Sequence, residues 1–233
     1  MMDWTQAIRR NQEALSRVLA ALFVLVGLDE SAPASGPQTL PRHLHAHVLS
    51  ILRAAESAIR RLVVIAARDV TVTLRPGGEG LLRGFGGKHK DDSGDPAAIR
   101  IPAFPLFDPL RKFPFDPPRR GSKCFPRICV VGVSEPEPVP DKPLLLPDDP
   151  LDARGLCGRL LSSRRVLANL PREARRLARW RACRRLRPGP GRVLPLRLGP
   201  PPGSRKRPVH AVDDTLKECH ALAIDALSFP DTS

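Results

Sequence analysis

Residues 44–65 read LHAHVLSILRAAESAIRRLVVI and decide the fold, because apolar side chains recur in them at alternating spacings of four and three. That spacing places the side chains along one side of an α-helix. The repeating positions are Leu44, Val48, Ile51, Ala55, Ala58, Leu62 and Ile65. Four further apolar residues, Leu49, Leu52, Ile59 and Val63, widen this face. The stretch therefore predicts a long helix whose apolar face is wider than one partner helix would cover.

A second stripe of the same kind lies near the N-terminus. Its positions are Trp4, Ile8, Asn11, Leu15, Val18, Leu22 and Leu25. Asp3 can cap this helix, with Gln6 three residues on, and Pro41 suits the start of the next one. Two such stripes joined by a short loop predict an antiparallel helical hairpin over residues 1–69. Its surplus apolar face predicts a homo-oligomer, with self-association through Ile8, Leu15, Leu22, Ile51 and Leu62.

The rest of the chain divides by composition. Residues 70–150 are rich in proline and glycine, with 14 prolines between positions 96 and 150, and predict a mostly disordered linker around one strand-like island at 128–133. Residues 151–187 predict an arginine-rich helical segment with a new helix near Pro171, residues 188–208 a second proline-rich linker, and residues 209–229 a last helix. We therefore expect a mainly α protein: an N-terminal helical hairpin, a Pro/Gly-rich middle and a basic helical C-terminal region.

A short repeat lies within the long linker. It reads FPLFDP from Phe104 to Pro109 and FPFDP from Phe113 to Pro117. Aromatic residues among prolines are typical of a peptide that becomes ordered on binding a protein partner. Equally, these aromatic residues could tether the linker to the helical core. The sequence leaves both interpretations open.

The net charge of +14 is concentrated in one part of the chain. Between residues 153 and 212, 16 arginines and Lys206 face a single acid, Glu173, which gives a local charge of +16 and leaves −2 for the remainder. Such a surface attracts polyanions: nucleic acid, anionic lipid headgroups or an acidic protein. The excess of arginine over lysine, 31 against seven, also fits a GC-rich coding sequence. A GC-rich coding sequence does not explain why residues 153–212 contain only one acidic side chain.

On the helix after Pro171 the arginines surround the axis. Arg172, Arg175, Arg176 and Arg179 share one face, and Arg181, Arg184 and Arg185 lie on the opposite side. Their guanidinium groups suit phosphates. The predicted polyanion-binding residues are Arg172, Arg175, Arg176, Arg179, Arg184 and Arg185. Base stacking is less expected, because Trp180 is the only aromatic residue of the segment.

A membrane surface is the alternative partner. The same arginines would contact anionic headgroups while the amphipathic N-terminal helices lie at the interface. Residues 18–28 have the apolar run of a secretory signal, but Glu13 and Pro33 argue against a cleavable one, and the run is too short to span a bilayer. The five cysteines are an odd, dispersed set rather than a disulfide framework. We expect a cytoplasmic location, with a peripheral membrane location as the alternative.

No spacing predicts a metal site. His43, His45 and His47 lie in a helical context, where only the first and last share a face. Cys124 and Cys129 have no second pair at the spacing of a zinc ribbon. Without a third and fourth ligand nearby, neither set is expected to hold zinc.

No pattern predicts catalysis or a cofactor either. GFGGK at 84–88 lacks the first glycine and the final Ser or Thr of a phosphate loop. Cys219 and His220 are neighbours on a helix and point about 100° apart, so a small core residue is the expected role of Cys219. The sequence therefore predicts a non-enzymatic adaptor or binding protein for a polyanion, with non-specific nucleic acid first and a membrane-associated or protein-interaction scaffold as the alternative.

Two C-terminal stretches carry a resemblance. They read RLGPPPGSRKRPVH at 197–210 and ECHALA at 218–223. Together they resemble the ending of a family of uncharacterised bacterial proteins, over about 30 residues. The resemblance implies no activity and no site residues.

Overall fold

A computed structural model describes residues 3–29, 36–73, 99, 101–109, 146–186 and 194–228. Within them the chain forms five α-helices: α1 (Trp4–Val26), α2 (Arg42–Ala66), α3 (Arg154–Ala168), α4 (Leu170–Leu186) and α5 (Ala211–Ser228). An antiparallel ribbon pairs β1 (Thr39–Pro41) with β2 (Pro150–Asp152). The protein is therefore mainly α, as the sequence predicts. Apart from Leu146, the described residues belong to one compact unit.

The central element of this unit is α2. All four other helices contact it, and every residue from Ala54 to Ile65 is buried. Burying one large aliphatic side chain contributes about 1.5–3 kcal/mol, so this helix is the main apolar anchor of the fold. The wide face that the sequence predicts for α2 is thus covered by helices of the same chain.

The first helix packs on α2, which confirms the predicted pairing of the two N-terminal helices. Its N-terminus is capped as predicted: the backbone N–H groups of Thr5 and Gln6 donate to the Asp3 carboxylate at 3.0 and 3.1 Å. The helix ends at Gly27, whose φ of 72° lies in the left-handed region that favours glycine.

The buried line of α1 departs from the predicted heptad stripe. Leu25 is 42% exposed, and Leu19, Phe23 and Val26 are buried instead. A straight α-helix drifts by about 20° per heptad relative to a strict seven-residue repeat. Over the three heptads from Trp4 to Leu25, this drift moves the end of the stripe out of the core.

The side chains predicted to mediate self-association lie in or against the core of the monomer. Leu15, Leu22 and Leu62 are buried, and Ile8 and Ile51 are partly buried against them. The prediction depended on an apolar face that the hairpin could not cover by itself. Since α3, α4 and α5 pack on α2 and α3 and α5 also pack on α1, these five residues are largely covered within the monomer. Self-association stays a prediction without support from them.

The helices after α1 begin at three different kinds of feature: a β-ribbon, a proline and a capping carboxylate. The ribbon ties the start of α2 to the start of α3, because Leu40 pairs with Leu151 and the Ala153 N–H donates to the Gln38 carbonyl at 2.8 Å. Pro171 is the second residue of α4. At the start of α5 the buried Asp213 carboxylate accepts backbone N–H groups from two preceding residues. Asp213, one of the acids predicted at the start of this helix, therefore binds the backbone that leads into it.

Residues 101–109, which we call the strap, pack on the helices. Phe104, Leu106 and Asp108 are 4%, 2% and 0% exposed, whereas Pro105 and Pro109 are exposed and Phe107 is half-buried. This alternation is that of an extended chain with one face buried. For the first copy of the repeat the structure therefore favours the tether over a peptide free to bind a protein partner. The second copy, the island at 128–133, GFGGK, Cys124 and Cys129 lie outside the described residues.

Gly203 lies where the chain before α5 passes closely against α2. Its φ is +81°, and an added Cβ would lie 2.8 Å from the backbone nitrogen of Ala54. We expect Gly203→Ala to lower the free energy of unfolding by more than the about 1–2 kcal/mol of a left-handed residue, since backbone atoms cannot easily move away. Gly155→Ala is the control, because its Cβ would meet nothing within 4 Å. Urea unfolding should separate the two variants; equal midpoints would contradict the close approach.

Candidate functional site

The orientation of α4 is set by its few apolar residues. Leu170, Ala174, Leu177 and Ala178 are buried, at the spacing of one helical face. They anchor α4 to the core. The arginines between them are left on the remaining surface of the helix.

A cleft of about 510 Å³ lies between α3, α4 and the strap. Its charged lining consists of Arg165, Arg172, Arg175, Arg176, Arg179 and Glu173. Five arginines against one glutamate give a net charge of +4. We call it the basic cleft.

One arginine of the basic cleft is held by its neighbours. Arg176 Nη1 donates to Glu173 Oε2 at 3.1 Å and to the Phe104 carbonyl at 3.2 Å, which ties α4 to the strap. The other four arginines form no ion pair with a carboxylate in the part of the chain that the structure describes. Clustered guanidinium groups without counter-charges create a positive potential that attracts phosphate.

The structure brings together four of the six predicted polyanion-binding residues. Arg172, Arg175, Arg176 and Arg179 line the basic cleft, whereas Arg184 and Arg185 lie in the last turn of α4, outside its lining. Arg165 completes the cleft from α3 and was missed. The local sequence around Arg165 gives little indication of this role. Arg165 lies one turn before the break between α3 and α4, and the turn between these helices places it opposite α4.

One of the three arginines predicted on the opposite side of α4, Arg181, is held by the core. Arg181 Nη1 donates to the Ala67 carbonyl at the end of α2, at 3.3 Å. Burial, and then the charge of Arg185, lower the pKa of Arg181. This arginine holds α4 against α2, whereas Arg185 on the same side is exposed.

A second cleft, of about 740 Å³, lies on the other side of the strap. Its charged lining consists of Arg53, Arg60, Arg159, Arg197 and Glu56. We call it the strap cleft. Arg159 and Glu56 form a bidentate pair with both N–O distances at 2.8 Å, and this bonding raises the pKa of Arg159. One wall of the strap cleft is thus fixed by an ion pair between α2 and α3.

A buried ionic cluster lies beneath the strap cleft. Arg60 Nε donates to Asp108 Oδ1 at 2.8 Å, and Arg61 Nη2 donates to Asp108 Oδ2 at 3.0 Å. The three side chains are 4%, 0% and 0% exposed. The backbone N–H of Arg197 also donates to Asp108, at 3.3 Å. The cluster therefore joins the strap to α2 and to the chain before α5.

Arg61 extends the cluster to α5. It donates to the carbonyl and hydroxyl oxygens of Ser57, at 2.8 and 2.6 Å, and its Nε donates to His220 Nδ1 at 3.2 Å. Burial first, and then the charge of Arg61, lower the pKa of His220. A neutral imidazole suits the acceptor role of Nδ1. The sequence carried only a partial signal for this cluster, two arginines inside an otherwise apolar run.

The described residues contain no group of three His, Cys, Asp or Glu side chains that could hold a metal ion. Cys219 is fully buried, as predicted for a core residue, and burial raises its pKa to about 12. A thiol held protonated in this way is a poor nucleophile. Among the described helices, none has the length and apolar character needed to cross a membrane.

No family model, curated protein or solved structure matches the chain. The resemblance of the C-terminal stretches therefore stays a prediction.

Proposed function

We propose that the protein is a non-enzymatic binding protein that holds the phosphates of nucleic acid in the basic cleft. The observation that carries the proposal is the lining of that cleft, five arginines against one glutamate. Guanidinium groups bind phosphate oxygens bidentately and keep their charge at any physiological pH. Contacts of this kind go to the backbone rather than to base edges, so binding is independent of sequence.

The shape of the site favours nucleic acid over an anionic membrane. A bilayer presents headgroups on a broad surface, whereas these arginines line a cleft between two helices and the strap. The membrane alternative also uses apolar faces of α1 and α2 as the inserting surface. The core already buries Leu15, Leu19 and Leu52 from those faces.

The salt dependence of binding tests the proposal. For a labelled oligonucleotide of about 20 residues, four phosphate contacts give a slope of about −3 for log K against log salt. Affinity should therefore fall by about 60-fold between about 50 and 200 mM salt, as measured by fluorescence anisotropy. Binding that ignores salt would contradict the proposal, as would no binding at the low salt. Sedimentation with anionic but not neutral liposomes, without oligonucleotide binding, would support the membrane alternative instead.

A further inference from the structure

The two clefts adjoin each other across the strap. Their shared lining residues are Pro102, Ala103, Phe104 and Ser162. Together the clefts are lined by nine arginines and two glutamates. Because Arg60 and Arg159 are paired with Asp108 and Glu56, the excess positive charge on the far side of the strap comes from Arg53 and Arg197.

The strap cleft has more extensive apolar walls than the basic cleft, with which it shares Pro102 and Phe104. The walls are formed by Phe104, Phe107, Pro102, Pro105, Pro109 and Pro202. Phosphates gain nothing from such walls, but the flat faces of nucleobases do. Phe104 is 4% exposed, so the half-buried Phe107 is the aromatic side chain that a base would contact. Its volume lies within the range of about 300–1,000 Å³ that holds a small organic molecule, enough for one or two bases.

The walls of the strap cleft are held in place. Phe107 lies edge-to-face against Trp180 of α4, with ring centroids 4.9 Å apart. Arg60 is held by Asp108 and Arg159 by Glu56. A site that is already ordered loses little conformational entropy on binding.

The Arg197 guanidinium donates from Nε and Nη2 to the Pro200 carbonyl, at 2.9 and 2.7 Å, so one arginine of the strap cleft remains for a ligand at the rim. Arg53 of α2 is exposed and forms no ion pair with the acids of the described ranges. A guanidinium group in this position can contact a phosphate or stack on a base. The strap cleft thus pairs apolar walls with a cation at the rim, which is the combination that a nucleotide requires.

We infer that the strap cleft binds bases of single-stranded nucleic acid whose backbone lies in the basic cleft. The inference rests on the proposed function and adds the class of nucleic acid. In a duplex the bases are stacked and paired, so their faces cannot enter the strap cleft. Trp180 is the only aromatic residue of the arginine segment, and the strap adds Phe104 and Phe107 from about 70 positions earlier in the chain.

A probe without bases provides the sharpest test. Oligothymidylate should bind the wild-type protein about 5- to 150-fold more tightly, for each base that stacks, than an abasic oligomer of the same length and charge. A duplex with the same number of phosphates should also bind more weakly than oligothymidylate. Both comparisons use the full chain at one salt concentration.

Trp180 reports on the location of the bases, since it contacts Phe107. The chain has two tryptophans, and Trp4→Phe leaves Trp180 as the only one. Oligothymidylate should change the fluorescence of this variant, and the abasic oligomer should leave it unchanged. Circular dichroism checks that the variant folds, and the affinity comparison on the wild type does not depend on it.

The outcomes separate this inference from the proposed function. Equal affinities for the abasic oligomer and oligothymidylate, both falling with salt, would overturn the inference and leave phosphate binding in place. A duplex that binds as tightly as oligothymidylate would overturn it in the same way. If neither oligomer binds at low salt, both the inference and the proposed function are wrong.

Discussion

Asp108→Asn should lower the free energy of unfolding by about 3–5 kcal/mol, the usual cost of removing one partner from a buried ion pair. The substitution keeps the shape of the side chain and removes its charge. Arg60 and Arg61 would then lie 4% and 0% exposed without the carboxylate that both contact. Taking a charge out of water without a counter-charge costs several kcal/mol.

The position of Asp108 adds to this effect. Its carboxylate accepts from α2 and from the Arg197 backbone, so its loss weakens the strap and the approach to α5 together. Arg61 is already disfavoured as a cation, because burial lowers its pKa and Asp108 opposes that effect. Without Asp108, burial and the charges of Arg60 and Arg197 would all disfavour the charged form of Arg61.

The matched control for this prediction is Asp69→Asn. Asp69 also forms an ion pair with an arginine, at 2.9 Å from Arg68, but its side chain is 68% exposed. Water solvates the Asp69 carboxylate, and the Arg68 side chain is 27% exposed, so the variant should unfold at nearly the wild-type urea concentration. Similar losses in the two variants would show that the buried charges of the cluster are not what holds the strap.

How much of this fold follows from sequence depends on the distance between partners. The spacing of apolar residues predicts α1 and α2, and the local signals at Asp3 and Pro171 predict where helices start, because these depend on neighbours within one turn. The same spacing does not show which other elements cover α2. From the sequence, the wide apolar face of α2 predicts contact with a second copy of the chain. In the structure, α3, α4 and α5 of the same chain pack there.

The sites show the same limit. The shared face of Arg172, Arg175 and Arg179 follows from helical geometry, and the structure confirms that these residues line one cleft. Asp108 lies 47 positions after Arg61 along the chain, and no local pattern pairs them. Nor does any local pattern bring Phe107 to Trp180. Those contacts depend on the position of the strap on the helices. Tertiary packing sets that position, and the local sequence does not.

The triple variant Arg172→Gln, Arg175→Gln, Arg179→Gln should bind a single-stranded oligonucleotide about 100- to 500-fold more weakly at about 0.1 M salt. Each lost phosphate contact removes about 0.7–0.9 from the magnitude of the salt slope, so the slope should fall by about 2–3. Arg176 is left in place because it bonds to the Phe104 carbonyl and holds the strap.

This variant should fold at least as well as the wild type. The three side chains are exposed, and glutamine has nearly the helix propensity of arginine. Arg175 and Arg179 are also four residues apart on one helix, where like charges repel by a few tenths of a kcal/mol. A loss of affinity with an unchanged urea midpoint therefore reports on binding alone.

A charge-matched control decides whether the cleft or the whole basic chain attracts the ligand. Arg9→Gln, Arg17→Gln, Lys217→Gln removes the same three charges from exposed positions on α1 and α5. If the phosphates lie in the basic cleft, this control should keep most of the wild-type affinity and salt slope, since the described lining of that cleft contains none of the three side chains. Equal losses in the two triple variants would show that net charge, rather than the arrangement of arginines around α4, accounts for binding.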